Sequence, residues 1–466
     1  DMQLEPSWST WSVAVERFGQ RGSMPVMKYF PFVAVEDETT GVTWGVQLAH
    51  EASWQMEIYR QDDGLHLSGG LADREFGDWK KTVKSGEHFE TPTAILSVCE
   101  GGIDDICHRL VCAGNKYVDN GPESEQELPI IFNEYCTTWG NPSHENICRI
   151  LESIKDKGFD YFVIDCGWFK EDGIPWDISM GDYNVSPTLF PQGLEKTVEA
   201  IRDKGMKPGI WFEIDNVGRA AKAYELTDHL LKRDGYPLTT HNRRFWDMND
   251  SWVKKYLHKK VIEMLQTYGF EYMKMDYNDT IGLGCDGAES LGEGLRKNQE
   301  ESVNFVRQVK EEVPGIILEN CASGGHRLEP LMMSLCSMAS FSDAHETEEI
   351  PIIAANLHRA ILPRQSQIWA VIRKSDSLKR IGYSIANTFL GRMCLSGDVT
   401  DLSAEQWDVI DRGMAFYREI APIIRDGKGY RRGPKILSDR HPEGYQVMIR
   451  MKKDGEAMVV IHCFDG

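Results

Sequence analysis

Apolar and polar positions follow two different rhythms along the chain. Up to about Tyr117 the apolar residues come as short β-branched and aromatic runs: Phe32-Val-Ala-Val35, Val42-Thr-Trp-Gly-Val46, Met56-Glu-Ile-Tyr59 and Ala94-Ile-Leu-Ser-Val98. Turn-rich clusters such as Glu36-Asp-Glu-Thr-Thr-Gly41 and Ser68-Gly-Gly70 separate them, which predicts a partial N-terminal β-sandwich over residues 1–118. The polar segment Asn120–Glu127 predicts a boundary. From residue 128 to 425 apolar runs alternate with amphipathic stretches. The runs are Leu128–Phe132, Tyr161–Ile164, Lys207–Phe212, Tyr272–Met275, Ile316–Leu318, Met338–Phe341, Ile368–Ile372 and Phe389–Leu395. His144–Lys157, Gly193–Lys204, Trp252–Tyr268 and Glu300–Glu312 have helical spacing between them. Strands apolar almost throughout must be covered on both faces, as in a parallel sheet with crossover helices. Eight such units in a little under 300 residues predict an α/β chain built on a closed (β/α)8 TIM barrel; an open doubly wound sheet is the alternative. Residues 429–466 return to short β runs and predict the start of a C-terminal β-domain.

The 466 residues carry 72 Asp plus Glu against 52 Lys plus Arg, a net charge of -20. That balance argues against nucleic acid and anionic membrane surfaces as partners, since phosphate binding needs clustered cations. No apolar run is long enough to span a bilayer. The first residues, Asp1-Met2-Gln3-Leu4-Glu5, lack the basic and apolar parts of a leader. A cytoplasmic location is the expectation, with secretion the alternative if the sequence is part of a longer chain. The 11 cysteines include no CxxC pair, which favours free thiols over a zinc site or a disulfide framework. No cofactor and no metal are expected.

A barrel of this kind places its chemistry at the C-terminal ends of the strands. Those ends read Asn133-Glu134, Asp165-Cys166-Gly167-Trp168, Glu213-Ile214-Asp215, Lys274-Met275-Asp276, Glu319-Asn320-Cys321 and Ser342-Asp343. Any single acid there is as readily a helix cap or surface charge, but a ring of them is costly without a use. Divalent metal binding and two-carboxylate glycoside chemistry are the two uses. Histidine at the strand ends is limited to His326 and His345, which disfavours metal. Trp168, Trp211 and Trp246 suit a sugar pocket, and a carboxylate pair is what glycoside hydrolysis needs.

Five segments carry a family resemblance: Phe162-Val-Ile-Asp-Cys-Gly-Trp-Phe169; Gly181-Asp-Tyr-Asn-Val185 with Phe190-Pro-Gln-Gly-Leu194; Gly205-Met-Lys-Pro-Gly-Ile-Trp-Phe-Glu213; Tyr272-Met-Lys-Met-Asp-Tyr-Asn278; and Glu319-Asn-Cys-Ala-Ser-Gly-Gly-His-Arg327 followed by Ser342-Asp343. The chain resembles glycoside hydrolase family 36, the α-galactosidases and α-N-acetylgalactosaminidases. The resemblance implies a retaining exo-glycosidase acting by double displacement on an oligosaccharide or glycoconjugate, with Asp276 as nucleophile and Asp343 as acid/base. It implies sugar-pocket roles for Asp165, Cys166, Trp168, Trp211, Lys274, Asn278, Cys321, Ser323, Gly324 and Arg327, and makes a homo-oligomer an open expectation. Three departures bear on the sugar. Cys166 stands where the family has a second acid, Ala344-His345-Glu346 replaces Asn-Thr-Asp, and His326 replaces a glycine. They leave open whether the glycone is galactose or its 2-amino or 2-acetamido form. An α-galactosyl transferase of the raffinose-synthase type and a non-catalytic sugar-binding barrel are the rival readings.

Overall fold

The computed structural model describes residues 15–61, 64–115, 121–346 and 348–465. The amino-terminal pentapeptide, residues 116–118 and the Asn120 edge of the expected boundary lie outside them. Eight parallel strands close into a barrel in chain order: Ile131–Asn133, Tyr161–Ile164, Lys207–Phe212, Tyr272–Met275, Ile317–Asn320, Met338–Ser340, Ser366–Ile372 and Arg392–Gly397. Closure is made by the last strand against the first, with Cys394 opposite Ile131 and Leu395 opposite Phe132. The open doubly wound alternative is therefore excluded. Every residue of these strands but Lys207 is buried, as their unbroken apolar character requires. Alternate side chains fill the interior (Tyr161, Val163, Tyr272, Ile317, Trp369, Val371), while their neighbours pack outward onto helices such as His144–Ile154 and Leu194–Asp203.

The polar segment before the barrel is a plug rather than a free linker. Its described part forms a short 3-10 turn, Glu123–Glu127, that places Glu125 under the barrel floor. There Glu125 pairs with the buried Arg392 and accepts from the Tyr161 hydroxyl at 2.7 Å. Charges this deeply buried persist because each has a partner.

Two three-stranded antiparallel sheets precede the barrel. One joins Val15–Gln20, Trp54–Gln61 and Gly64–Leu71; the other joins Phe32–Asp37, Val42–Ala49 and Thr93–Glu100. The stretch read as β throughout also contains a helix, Ile103–Gly114. Its start is fixed by Asp105, whose carboxylate accepts from the Gly102 amide at 3.2 Å. Ile106, Cys107, Leu110 and Val111 recur at helical spacing and are buried, Ile106 and Leu110 lying across Gly45 of the second sheet. After the barrel the long helix Ala404–Asp426 leads into the sheet Lys428–Arg432, Glu443–Met451 and Ala457–Asp465.

The N-terminal part reaches beneath the strand ends. Ser23 Oγ accepts from the Tyr277 hydroxyl at 2.6 Å and from the Ile281 amide at 2.9 Å, and the Ser23 carbonyl accepts from Arg327 at 3.1 Å. No helix among the described residues is long and apolar enough to cross a membrane.

Candidate active site

A cavity of about 430 Å³ opens at the C-terminal ends of the barrel strands. It is lined by Asp165, Cys166, Trp211, Lys274, Asp276, Asn278 and Asp343, together with Tyr135, Trp139, Trp176 and the segment Ala344-His345-Glu346. Seven of the twelve residues expected from sequence thus line one cavity.

Asp276 follows the fourth strand, and its amide donates to Phe212 O of the third at 2.8 Å, so the ladder holds its backbone in place. One carboxylate oxygen accepts from the amides of Tyr277 at 2.8 Å and Ser323 at 2.9 Å. The other accepts from Trp211 Nε1 at 3.2 Å. Burial alone would push this carboxyl up; the Lys274 charge and the donated hydrogen bonds outweigh it and hold Asp276 below the usual carboxylate range. An ionised, fixed carboxylate facing a cavity is what a nucleophile at a sugar carbon needs.

The Ser323 amide points at Asp276 because the backbone turns left-handed over Ala322, Ser323, Gly324 and Gly325, with φ of 52°, 55°, 79° and 108°. For the two non-glycine residues that conformation costs roughly 1–3 kcal/mol each, a strain found where function over-determines the chain. Gly324 is required for a second reason. A Cβ there would lie 2.5 Å from the Asp343 amide nitrogen, so the turn and the carrier of the second acid are in van der Waals contact. What Gly324 approaches closely is therefore protein backbone.

Lys274, two residues before Asp276, donates to Asp165 Oδ2 at 2.8 Å, which also accepts from Asn133 Nδ2 at 2.7 Å. Asp165 Oδ1 accepts from the Cys166 amide at 2.9 Å, and the Asp165 amide donates to Glu134 at 2.9 Å. Desolvation of the buried ammonium is outweighed by Asp165, so Lys274 stays a cation. Glu134 is pushed by burial up to about 8 and is neutral at pH 7. Cys166 is buried, and desolvation, with the neighbouring Asp165 charge, raises its thiol well above the free range. At that corner the wall presents a weak donor and no charge. Asn278 is oriented from behind, its amide and Nδ2 donating to Glu213 at 3.0 and 3.1 Å while Arg243 donates to the same carboxylate at 3.0 Å.

Asp343, beyond the sixth strand, is half exposed, with Cys321 Sγ 3.9 Å and His345 Nε2 3.7 Å from its Oδ1. Cys321, Ser323 and Gly324 do not line the cavity; they position the two aspartates. Trp168 is fully buried and donates to the Trp211 carbonyl at 2.9 Å, fixing the Trp211 backbone rather than lining the cavity. Arg327 also lies away from the cavity. Its guanidinium sits 3.5 Å over the Tyr277 ring and bonds Asp215, Gln299 and the Ser23 carbonyl, bracing the residue after Asp276 from below. Trp246 is buried in the core and takes no part. Tyr135, Trp139 and Trp176 are cavity residues that the sequence reading did not single out. Tyr135 follows directly on Glu134 at the first strand's end, a position that marks it; Trp176 sits in a long loop with no such signal. Among the described residues no three His, Cys, Asp or Glu side chains converge as metal ligands would.

Comparison with known proteins supports the fold and assigns the family. Alpha-galactosidase 1 of Pediococcus pentosaceus is 25% identical over 466 residues, covering 94% of this chain and 61% of that protein. The solved glycoside hydrolase family 36 α-galactosidase AgaA of Geobacillus stearothermophilus, in complex with raffinose, superposes with a TM-score of 0.85 at 20% identity, over 96% of this chain and 63% of that one. The α-galactosidase of Lactobacillus brevis gives a TM-score of 0.82 at 22% identity, over 98% and 61%. This chain thus spans about three fifths of the length of these relatives. Residues 88–427, the whole barrel with the approach to it, match the melibiase family, and the chain belongs to that family.

Proposed function

We propose that this chain carries the catalytic barrel of a retaining exo-glycosidase that removes terminal α-linked galactose by double displacement. The observation that carries the reading is the pair Asp276 and Asp343, delivered by the fourth and sixth strands to one cavity, the first ionised and rigidly held, the second half open to solvent. Family membership and the names of the relatives support it. In the first step the Asp276 carboxylate forms a bond to the anomeric carbon while the glycosidic C–O bond breaks, and the leaving oxygen takes the proton of Asp343. In the second, water attacks the same carbon, gives its proton to the Asp343 carboxylate and releases Asp276. Lys274 and Asp165 form a charge-assisted pair at the cavity floor, able to donate to and accept from sugar hydroxyls. Trp211, Trp176 and Tyr135 supply aromatic faces for the apolar side of the ring. An oligosaccharide or glycoconjugate is the substrate class, and the neutral Cys166 corner favours tolerance of a 2-amino or 2-acetamido sugar beside galactose.

An aryl α-galactoside assay tests the reading. Wild type turns over, and Asp276→Ala loses at least ~10⁴-fold in kcat while keeping its thermal midpoint, since loss of a covalent nucleophile removes the pathway and not the fold. Binding of the sugar without any turnover by wild type contradicts it and favours a non-catalytic barrel. Transfer to an added acceptor sugar in place of hydrolysis favours the transferase.

A further inference from the structure

We propose that Trp139 is the platform on which the substrate's leaving group lies, so that the preferred leaving group is itself a sugar ring; the proposal rests on the double-displacement reading above. Exposure sorts the cavity residues into a floor and a rim. Asp165, Cys166, Trp211, Lys274 and Asp276 are buried, whereas Trp139 is 55% exposed and the Asp343 side chain 48%. The nucleophile belongs to the floor, so the sugar that becomes bonded to it fills the floor. The leaving oxygen takes its proton from Asp343, and the group beyond that oxygen runs along the rim. Trp139 stands on the same stretch of rim. Arg373 lies over its ring at 5.3 Å and pairs with Glu346, three residues after Asp343. The Tyr135 ring closes the arc, 5.4 Å from Trp139 and 6.0 Å from His345.

Single exposed apolar side chains are ordinary, but this one is held in a fixed position. Trp139 ends the short helix Tyr135–Thr138 in the left-handed region, at a φ of 53°, with its amide donating to Tyr135 O at 2.7 Å. That conformation disfavours a bulky side chain and persists only where the surroundings enforce it. On one side Thr137 Oγ1 donates to Gly397 O of the last strand at 2.7 Å, and the Thr138 hydroxyl donates to Glu134. On the other, Gly140 packs so tightly that a Cβ on Gly167 would lie 2.4 Å from the Gly140 carbonyl oxygen. Arg373 is itself fixed, donating to the Cys136 carbonyl at 2.8 Å and to Asp398 at 3.1 Å. An aromatic face held this way is preorganised, so a ligand stacking on it orders little. The chemistry around it suits a sugar. A sugar ring has apolar C–H faces and hydroxyl edges; the indole takes a face, and the Glu346 carboxylate beside it accepts from hydroxyls.

The test compares wild type, Trp139→Ala and Trp139→Phe on an α-galactosyl disaccharide and on α-galactosyl fluoride, whose leaving group has no ring. Trp139→Ala should lose about tenfold in kcat/KM on the disaccharide, mostly through KM, and stay within about twofold on the fluoride. Trp139→Phe, which keeps an aromatic face, should recover most of the loss. The sugar released from the disaccharide should inhibit fluoride turnover by wild type, and about tenfold less tightly in Trp139→Ala. An equal loss on both substrates in both variants overturns the proposal by reducing Trp139 to a structural part. Unchanged disaccharide kinetics in Trp139→Ala, or a wild type that turns over the fluoride and refuses the disaccharide, overturns it while leaving the glycosidase reading in place. A wild type inert on both substrates overturns that reading, and this inference with it.

Discussion

In the proposed glycosidase, Cys166 is the residue on which substrate choice turns. The side chain occupies the cavity corner next to Asp165, with its thiol held neutral and its amide committed to Asp165. A site that bonds a hydroxyl strongly rejects an analogue without it, whereas a wall with no strong partner discriminates only ~10–200-fold. Wild type should therefore show a flat ratio of kcat/KM across aryl α-glycosides of galactose, galactosamine and N-acetylgalactosamine. Cys166→Asp should sharpen that ratio toward galactose by about tenfold, measured on the same three substrates. A wild type that already prefers galactose strongly, with no gain in the variant, shows that another side chain sets the preference. Lys274, Asp276 and Asn278 were legible in sequence because they alternate at the end of one strand, and Asp343 because it follows another strand of the same barrel. Trp168 and Arg327 were legible only as motif members. Their burial behind the cavity depends on partners distant in the chain, Trp211 for one and Asp215, Gln299 and Ser23 for the other.

Among the elements, the barrel strands were the most readable, because full burial leaves each as a continuous apolar run; three of the eight, Tyr161–Ile164, Lys207–Phe212 and Tyr272–Met275, have the bounds their apolar runs predict. The helix Ile103–Gly114 was hidden inside a β-rich stretch, since its apolar stripe of Ile106, Cys107, Leu110 and Val111 is short and, Leu110 apart, β-branched or sulfur-bearing. The excursion after the third strand, with its small sheet of Asn216–Gly218, Arg243–Phe245 and Thr239–Thr240, follows no periodic pattern, yet it supplies Arg243 to Glu213 and so steadies Asn278. The left-handed turn after the fifth strand is the element with the sharpest requirement. Gly324→Ala adds a Cβ 2.5 Å from the Asp343 amide at a φ of 79°, so either the turn or the segment holding Asp343 must shift. The variant should lose roughly 1–3 kcal/mol of stability in denaturant unfolding. It should also lose activity on poor leaving groups more than on activated ones, because the displaced group is the proposed acid/base. A loss confined to stability places the strain elsewhere.

Across the whole molecule, one buried carboxylate joins the three parts. Asp104 on the N-terminal helix accepts from His358 at 3.2 Å and Arg359 at 2.7 Å of the barrel, and from Arg432 of the C-terminal sheet at 3.4 Å. Desolvation pushes this carboxyl up, but the hydrogen bonds from His358 and Arg359 outweigh it and hold Asp104 well below its ordinary value. A depressed folded value means stability that is present above the unfolded pKa of ~3.9 and lost progressively as pH falls from there through the lower folded value. Asp104→Asn should therefore cost about 1.5–3 kcal/mol at pH 7, and the gap to wild type should narrow progressively as pH falls below about 4. Urea unfolding at the two pH values reads this directly, and a gap independent of pH would assign the loss to packing.

The central claim is that Asp276 is the group that bonds to the sugar. With Asp276→Ala incubated with an aryl α-galactoside and sodium azide, the small anion occupies the vacated carboxylate position and attacks the anomeric carbon from that side. The account predicts azide-dependent recovery of aryl release and a β-galactosyl azide, the inverted anomer, identified by its proton coupling in the NMR spectrum. Full turnover without azide, or an α-configured azide product, would contradict it.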